Sequence, residues 1–272
     1  MPNKRKRFRR RQRLGQYRVE SCLAVGGFAE VYQAYDTIEG VRVALKIPLE
    51  TMTDRSSQRA FRKEVQLVAG LDHPNILKIK TASVLDGHFV VVTALAKESL
   101  ADRLSRRMGR ATALAIAHQL CAALAYAHKR RIIHCDVKPE NILLFGDGRV
   151  RLADFGLAKV SMRSVEASGS GTLGYMAPEQ ALGRPSPRSD VFSAALVLYR
   201  MMAGKLPEWP FSWPYVGIER ARRNYHHDLL SLVRRATDVD QAKRPRDAAA
   251  LLSAFEALRP RALRDLSGRR SS

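Results

Sequence analysis

The pattern of apolar residues changes once along the chain, close to residue 95, and this change limits the folds open to it. Before that point, short runs rich in valine and tyrosine have the alternation of β-strands: YRVESCL, AEVYQAY, VRVALKI, LKIKTASVL and HFVVVT. One stretch with helical spacing, SSQRAFRKEVQLVAGL, interrupts them. From residue 99 onward helical spacing dominates. The sequence therefore predicts a small strand-rich lobe with one helix and a larger helical lobe, joined near residues 94–97.

Composition narrows the class of protein. A chain of 272 residues can bury about 75% of the surface of its unfolded form. No apolar run reaches the roughly 18 residues of a membrane span, and no apolar segment of a secretory signal follows the basic N-terminus. Three cysteines, Cys22, Cys121 and Cys135, show no C-x-x-C spacing. We expect a cytoplasmic protein with reduced thiols and neither a disulfide framework nor a zinc site.

Charge is the strongest anomaly of the composition. The chain has 47 Lys and Arg against 26 Asp and Glu, a formal net charge of +21. Residues 1–13 contain 8 of the basic residues and no acidic one. Because like charges repel and apolar residues are scarce there, we expect a disordered basic arm at residues 1–13, and a basic tail at residues 259–272. An acidic protein, a nucleic acid or an anionic membrane surface is the kind of partner that such an arm contacts; a solvated tail is the alternative.

Short motifs with chemical content follow one another along the chain. LAVGGFAEV lies between two predicted strands, where glycines allow backbone N–H groups to approach phosphates, although Gly-Gly alone is more often only a turn. VALK places Lys46 in the middle of a strand, and Glu64 on the following predicted helix is a candidate partner for it. The stretches HCDVKPEN, ADFG and APE come further downstream, in that order.

This ordered set resembles the eukaryotic-like serine/threonine protein kinases of bacteria, over residues 17 to about 258. The resemblance implies an α+β, bilobal protein-kinase-like fold with a small strand-rich N-lobe carrying one helix and a larger helical C-lobe. It also implies a kinase domain at residues 14–258, divided into an N-lobe at residues 14–95 and a C-lobe at residues 96–258. The activity implied is transfer of the γ-phosphate of ATP to Ser or Thr hydroxyls of protein substrates, with Mg²⁺ as cofactor.

The resemblance also assigns roles to single residues. Asp136 would accept the proton of the substrate hydroxyl, and Lys138 would approach the transferred phosphate, as in kinases that act on Ser or Thr. Asn141 and Asp154 would hold magnesium, which prefers oxygen ligands. Lys46, fixed by Glu64, would bind the α- and β-phosphates. The rest of the expected nucleotide site comprises the glycine loop, the adenine pocket and the hinge: Val25, Gly26, Gly27, Phe28, Val31, Ala44, Val92, Leu95 and Leu143.

Scaffold positions are expected to support this site. Glu179 and Arg244 would form a buried ion pair, and His134 would pack in the core of the larger lobe. Asp190 would cap or brace the catalytic loop, the stretch HCDVKPEN at residues 134–141. The glycine loop departs from the family pattern, because Ala24 and Ala29 replace two of its glycines and alanine disfavours positive φ.

A second departure is Cys135, which stands where most relatives have an arginine. That arginine pairs with a phosphate on the activation segment, and a neutral cysteine cannot do so. We therefore expect activity without obligatory phosphorylation of residues 154–179, and an ordered segment in its absence.

Three other functions compete with a protein kinase. A pseudokinase, which signals by contact, commonly lacks at least one of the catalytic positions that are all present here. A kinase of small-molecule hydroxyls is disfavoured by the peptide-binding type of segment GTLGYMAPE. A thiol enzyme built on Cys135 and His134 is disfavoured because neighbours in sequence generally point their side chains apart.

Overall fold

The computed structural model describes residues 8–27, 29–49, 62–63, 65–155 and 173–268. They fall into two compact units, and the chain passes from one to the other between Ala96 and Lys97. The smaller unit also contains Leu77–Ala96, whereas His73–Ile76 belongs to the larger one. None of the helices formed by these residues combines the length and the hydropathy needed to cross a membrane.

The described strands of the smaller unit form an antiparallel sheet in the order β1-β2-β3-β4-β6-β5. Gly40 and Gly87, with φ of 71° and 77°, lie in the turns after β3 and β5, where positive φ excludes most side chains. Residues 62–63 and 65–69 are helical. The strands are β1 Arg13–Leu14, β2 Tyr17–Val25, β3 Ala29–Asp36, β4 Val41–Pro48, β5 Ile79–Leu85 and β6 His88–Ala94.

Alternation along β3 and β4 gives this sheet two different faces. One face carries the core of the unit, with Tyr32, Leu45 and Ile47 fully buried. The residues between them, which include Val31 and Lys46, share the other face because they are cross-strand partners. The predicted phosphate-binding lysine therefore lies on the face that the core does not use.

The first described residues are packed, contrary to the disorder expected for residues 1–13. Phe8 is only 4% exposed and contacts the rings of Tyr32 and His88 edge to face, at centroid distances of 5.5 and 5.2 Å. Its N–H donates to the Tyr32 hydroxyl (3.3 Å), and that hydroxyl donates to Glu30 (2.9 Å). Burial, with Glu30 adding to it, raises the pKa of Tyr32 to about 12, so the hydroxyl keeps its proton. The prediction was wrong for residues 8–13, because one buried aromatic ring outweighs the charge of its neighbours; residues 1–7 lie outside the described ranges.

The larger unit contains a short antiparallel sheet, β7-β8-β9. Its helices lie between β7 and β8 and after β9 along the chain. Its long helices α2, α4, α6 and α7 pack against one another. The elements are β7 Glu98–Ser99, α1 Leu100–Arg103, α2 Arg110–Lys129, β8 Ile142–Leu144, β9 Val150–Leu152, α3 Pro178–Ala181, α4 Pro187–Ala203, α5 Ile218–Asn224, α6 His227–Ala236 and α7 Ala248–Gly268.

Helix α4 is the central element of this unit. Nearly all of its residues are buried, including the polar Ser189, Asp190 and Ser193. When a helix is buried on all sides, each of its polar side chains needs a hydrogen-bond partner within the protein. Ser193 illustrates this, because its hydroxyl donates to the Tyr175 carbonyl at 2.7 Å.

The C-terminal helix extends beyond the expected end of the domain at residue 258. Helix α7 continues through Pro260 to Gly268, and Ala262 is buried. Proline costs one backbone hydrogen bond of a helix but does not always end it. The start of the expected basic tail is therefore helical and partly packed.

Candidate active site

The carboxylate of Asp190 on α4 binds the start of the catalytic loop. Asp190 is only 1% exposed. Its Oδ2 accepts the backbone N–H of His134 at 2.7 Å, and its Oδ1 accepts the N–H of Cys135 at 2.8 Å. A buried carboxylate must be paired or hydrogen-bonded, and these two bonds use it to fix consecutive peptide groups. The expected brace of the loop by Asp190 is confirmed.

A third donor to Asp190 comes from His128, at the end of α2. Its Nε2 lies 2.8 Å from Asp190 Oδ2, and its Nδ1 accepts the N–H of Ala248 at 3.0 Å. Because Nδ1 accepts this hydrogen bond, the ring hydrogen lies on Nε2, which donates to the carboxylate. His128 therefore links α2, α4 and the start of α7.

His134 is fully buried, as the sequence predicted. Its Nδ1 accepts the N–H of Asp136 (3.1 Å), so its Nε2 donates to the carbonyl of Ala153 (2.8 Å). Its ring meets that of Phe155 at 4.5 Å between centroids. The ring joins the catalytic loop to the chain around Asp154, and it has no geometry for activating the thiol of Cys135.

Asp136, Lys138 and Asn141 come together around one oxygen atom. Lys138 Nζ and Asn141 Nδ2 each lie 2.9 Å from Asp136 Oδ2, and Asn141 Nδ2 also donates to the Asp136 carbonyl (2.8 Å). The N–H of Ala153 donates to the Asn141 carbonyl at 2.8 Å. These contacts turn the amide nitrogen of Asn141 towards Asp136, which leaves its Oδ1 as a hard oxygen donor for a cation.

Asp154 lies in a left-handed backbone conformation, with φ of 62°. Non-glycine residues take this conformation at a cost, and strained residues of this kind cluster at active sites. Its neighbours are fixed, since Ala153 is hydrogen-bonded on both sides and Phe155 is fully buried. Asp154 directly follows Ala153, whose N–H bonds to the backbone carbonyl of Asn141, so the two residues are linked through Ala153. Their amide and carboxylate oxygens are the kind of ligand that Mg²⁺ prefers.

The nucleotide-binding residues expected in the smaller unit separate into two groups. Val31 pairs with Lys46, and Ala44 shares their face two residues along β4. Val92 pairs with Leu45, is 1% exposed and belongs to the core on the opposite face. The structure therefore groups Val31, Ala44 and Lys46 and leaves Val92 apart from them.

The remaining expected positions are placed as follows. Val25, Gly26 and Gly27 are exposed at the tip of the β2–β3 hairpin. The N–H of Gly26 donates to the Ala29 carbonyl (2.9 Å) and closes this tip. Leu95 follows β6 in the smaller unit, and Leu143 lies half-buried in β8 of the larger unit. Phe28, Glu64 and the activation-segment residues 156–172 lie outside the described ranges, so the Lys46–Glu64 pair stays a prediction.

The predicted ion pair of Glu179 and Arg244 is confirmed. Two parallel bonds join the groups, at 2.8 and 3.0 Å, and Ser189 donates to the same carboxylate at 2.6 Å. Burial alone would raise the pKa of Glu179, but the bonds from Arg244 and Ser189 outweigh it and hold the pKa below its usual value. The guanidinium also donates to the Asp238 carbonyl (2.6 Å) and lies over the Phe192 ring.

Two residues of the site were missed by sequence reasoning. His128 bonds to a carboxylate 62 residues away, and Gln180 donates to the Cys135 carbonyl 45 residues away. Both contacts connect distant parts of the chain and have no periodicity, so the only sequence signal was the adjacency of Gln180 to the APE motif.

Comparison with known families decides the identity of this fold. The protein kinase domain family matches residues 17–252. The chain belongs to this family. The α+β kinase fold expected from the motifs, with a strand-rich N-lobe and a helical C-lobe, is thereby confirmed.

Relatives of this kinase domain are bacterial serine/threonine kinases. PknA of Mycobacterium tuberculosis is 38% identical over 206 residues, which are 71% of this chain and 48% of PknA. PrkC of Bacillus subtilis is 33% identical over 201 residues (71% of this chain, 31% of PrkC), and pkn2 of Myxococcus xanthus 32% over 268 (89% and 32%). The chain thus spans between about a third and a half of the length of these relatives.

Solved structures lead to the same fold. The crystal structure of the Mycobacterium tuberculosis PknI kinase domain superposes with a TM-score of 0.70 at 26% identity. The match covers 92% of this chain and 99% of that one.

The ion pair of this kinase domain predicts a specific response to mutation and acid. Arg244→Met should lower the free energy of unfolding by about 3–5 kcal/mol at pH 7, because it leaves a buried carboxylate without its partner. The pKa of Glu179 is lower in the folded state than in the unfolded state. The ionised carboxylate therefore stabilises the fold fully above the unfolded-state pKa, and this stabilisation is lost as the pH falls through the folded-state pKa.

Chemical denaturation between pH 7 and pH 3 measures both effects. The wild type should lose stability over this range more steeply than a Glu179→Gln, Arg244→Met double variant. Arg246→Met, at an exposed arginine two residues away, is the matched control and should change little. Equal losses for the variants at residues 244 and 246 would contradict the assigned role of the pair.

Proposed function

We propose that this kinase domain transfers the γ-phosphate of ATP to Ser and Thr hydroxyls of protein substrates, with Mg²⁺ as cofactor. The observation that carries the proposal is the cluster of Asp136, Lys138 and Asn141, in which two 2.9 Å contacts meet at one carboxylate oxygen. Phosphoryl transfer depends on positioning and on charge stabilisation, and this cluster supplies both. The serine/threonine kinases among the relatives support the substrate class.

Each residue of the cluster has a distinct task in the proposed reaction. Asp136 orients the substrate hydroxyl and accepts its proton. Lys138, already within 2.9 Å of that carboxylate, provides positive charge beside the oxygen that attacks and the phosphoryl group that moves. Lys46 and the backbone N–H groups of the glycine loop hold the phosphates of the nucleotide.

Magnesium would be held by Asn141 and Asp154. When bound, it neutralises charge on the phosphate oxygens. The protein contributes the fixed positions of the two side chains: Asn141 is held by Asp136 and Ala153, and Asp154 is held between residues that are themselves hydrogen-bonded or buried.

The proposed enzyme does not require phosphorylation of its activation segment. Cys135 offers no positive charge to a phosphate, and its backbone is already fixed by Asp190. Three cations are candidates for the role of the missing arginine: Arg62, Lys159 and Arg163. Arg62 is exposed in the smaller unit, whereas Lys159 and Arg163 lie outside the described residues, as do Ser161, Ser164, Ser168, Ser170 and Thr172.

The basic N-terminal segment has a proposed partner of its own, a nucleic acid. Arg9, Arg10, Arg11 and Arg13 are exposed, and Arg13 pairs directly with Arg18 across β1 and β2, where like charges repel. An anion that binds both arginines relieves this repulsion, and guanidinium groups suit phosphates. The aromatic ring of the segment, Phe8, is buried and is not available to insert into a membrane.

The catalytic proposal predicts loss of transfer in specific variants. Wild-type protein with labelled ATP, magnesium and a basic acceptor protein should incorporate phosphate, and Asp136→Asn and Asp154→Asn should abolish incorporation. Lys46→Met should lower kcat by about a hundredfold or more, because a preorganised charge is lost. Asp147→Asn, the same chemical change in an exposed turn, is the matched control. Equal incorporation by all of these proteins would indicate a contaminating kinase, and no incorporation by the wild type would favour a binding module.

The phosphorylation proposal predicts that the four serines of the segment do not control activity. Replacement of Ser161, Ser164, Ser168 and Ser170 by alanine should leave initial rates on a separate acceptor within about threefold of the wild type, both after phosphatase treatment. Thr172 is left intact, because the family resemblance places it against Asp136 and Lys138. A tenfold drop, about 1.4 kcal/mol of barrier, would show that phosphorylation switches the enzyme.

The nucleic-acid proposal predicts binding that depends on salt. Changing Arg9, Arg10, Arg11 and Arg13 to glutamine, with Phe8 kept, should weaken binding to duplex DNA. The slope of log affinity against log salt should fall by up to about 0.9 for each DNA phosphate that the variant no longer neutralises. Melting temperature and kinase activity report on the fold and should stay unchanged. Binding to anionic vesicles or acidic peptides with no binding to DNA would refute the choice of partner.

A further inference from the structure

The residue before the catalytic aspartate is held in an unfavourable conformation. Cys135 has φ of 63°, in the left-handed region, which costs a residue with a side chain roughly 1–2 kcal/mol. In most positions such a residue would relax to negative φ. Here it persists next to Asp136, so the surrounding structure must hold it.

The peptide groups on both sides of Cys135 are fixed by hydrogen bonds. The N–H of Cys135 donates to Asp190 Oδ1 at 2.8 Å. On the other side, Gln180 Nε2 donates to the Cys135 carbonyl at 2.6 Å, and the Asp136 N–H donates to His134 Nδ1 at 3.1 Å. The carbonyl and this N–H belong to one planar peptide unit, so Gln180 and His134 hold its two opposite edges.

The chemistry of this contact fixes the orientation of the Gln180 amide. A backbone carbonyl oxygen only accepts, so the amide must present its NH₂ group; the reverse orientation would place two oxygens 2.6 Å apart. Gln180 is 6% exposed and lies on α3, directly after the APE motif. The contact therefore joins the catalytic loop to the end of the activation segment by a neutral bond.

We infer that Gln180 is a positioning residue, which holds the Cys135–Asp136 peptide so that the Asp136 carboxylate faces Lys138 and Asn141. The inference rests on the proposed kinase function. It adds a link between catalytic loop and activation segment that needs no phosphate, at the residue where the usual arginine is absent.

The test uses Gln180→Glu, which keeps the shape of the side chain but cannot donate from a carboxylate. Its kcat should fall about tenfold, equal to about 1.4 kcal/mol, while KM for ATP stays within about twofold. Gln180→Met, which lacks both the donor and the charge, should lose a similar factor. The melting temperature shows whether each variant is folded.

A second background tests the cause. Glycine adopts positive φ without cost, so the effect of Gln180→Glu should shrink to less than about threefold in a Cys135→Gly background. Arg131→Gly is the matched control: Arg131 also has positive φ (61°) and is exposed, but its N–H donates to the His128 carbonyl, whereas Gln180 bonds to Cys135. In that background the effect should remain about tenfold.

An independent readout separates this inference from the kinase proposal. Hydrogen exchange of the Asp136 amide should be faster in Gln180→Glu than in the wild type, whether or not the protein transfers phosphate. Unchanged exchange and unchanged kcat in both Gln180 variants would overturn the inference, as would equal rescue by Cys135→Gly and Arg131→Gly. Absence of transfer by the wild type, with the exchange difference present, would overturn only the kinase function.

Discussion

The larger unit depends on the hydrogen bonds that the carboxylate of Asp190 accepts. This carboxylate is buried, and a buried charge without partners would cost several kcal/mol. Three donors, two backbone N–H groups of the catalytic loop and the His128 ring, satisfy it. Because His128 also accepts the first N–H of α7, one charge determines how α2, α4, α7 and the loop are joined. The position of Asp136 is therefore a property of the helical core and not of the loop alone.

The short helix α3 connects this core to the catalytic loop from the end of the activation segment. Four residues are too few for a helix to be stable in isolation, so its position must come from side-chain contacts. Consecutive residues supply them in different directions: Glu179 binds Arg244 and Ser189, and Gln180 binds the catalytic loop. The ion pair fixes α3 to the core, and the neutral bond transmits that position to the peptide beside Asp136.

The bilobal fold and the Glu179–Arg244 pair could be predicted from the sequence. The strands β2–β4 show alternating apolar residues, and the order of the motifs and the ion pair follow from the family resemblance. What could not be predicted depends on contacts between distant residues. Composition identified residues 1–13 as a charged arm, yet Phe8 packs on Tyr32 and His88, and a single aromatic residue within a basic run gives no periodic signal. The family resemblance placed Val92 in the nucleotide site, but its pairing with Leu45 puts it in the core, and register is set by the whole sheet.

Cys135 stands where the family resemblance places an arginine, and the proposed function therefore involves a different kind of link to the catalytic loop. An arginine–phosphate pair is charge-assisted, forms only after modification and weakens with salt. The bond from Gln180 to the Cys135 carbonyl is neutral and partly buried, so it has no charge for salt to screen and no phosphate for a phosphatase to remove. In the proposed enzyme, a loop held in this way keeps its geometry without modification of the activation segment. Under the proposed function, control would then act on the access of substrate or nucleotide and not on the peptide beside Asp136.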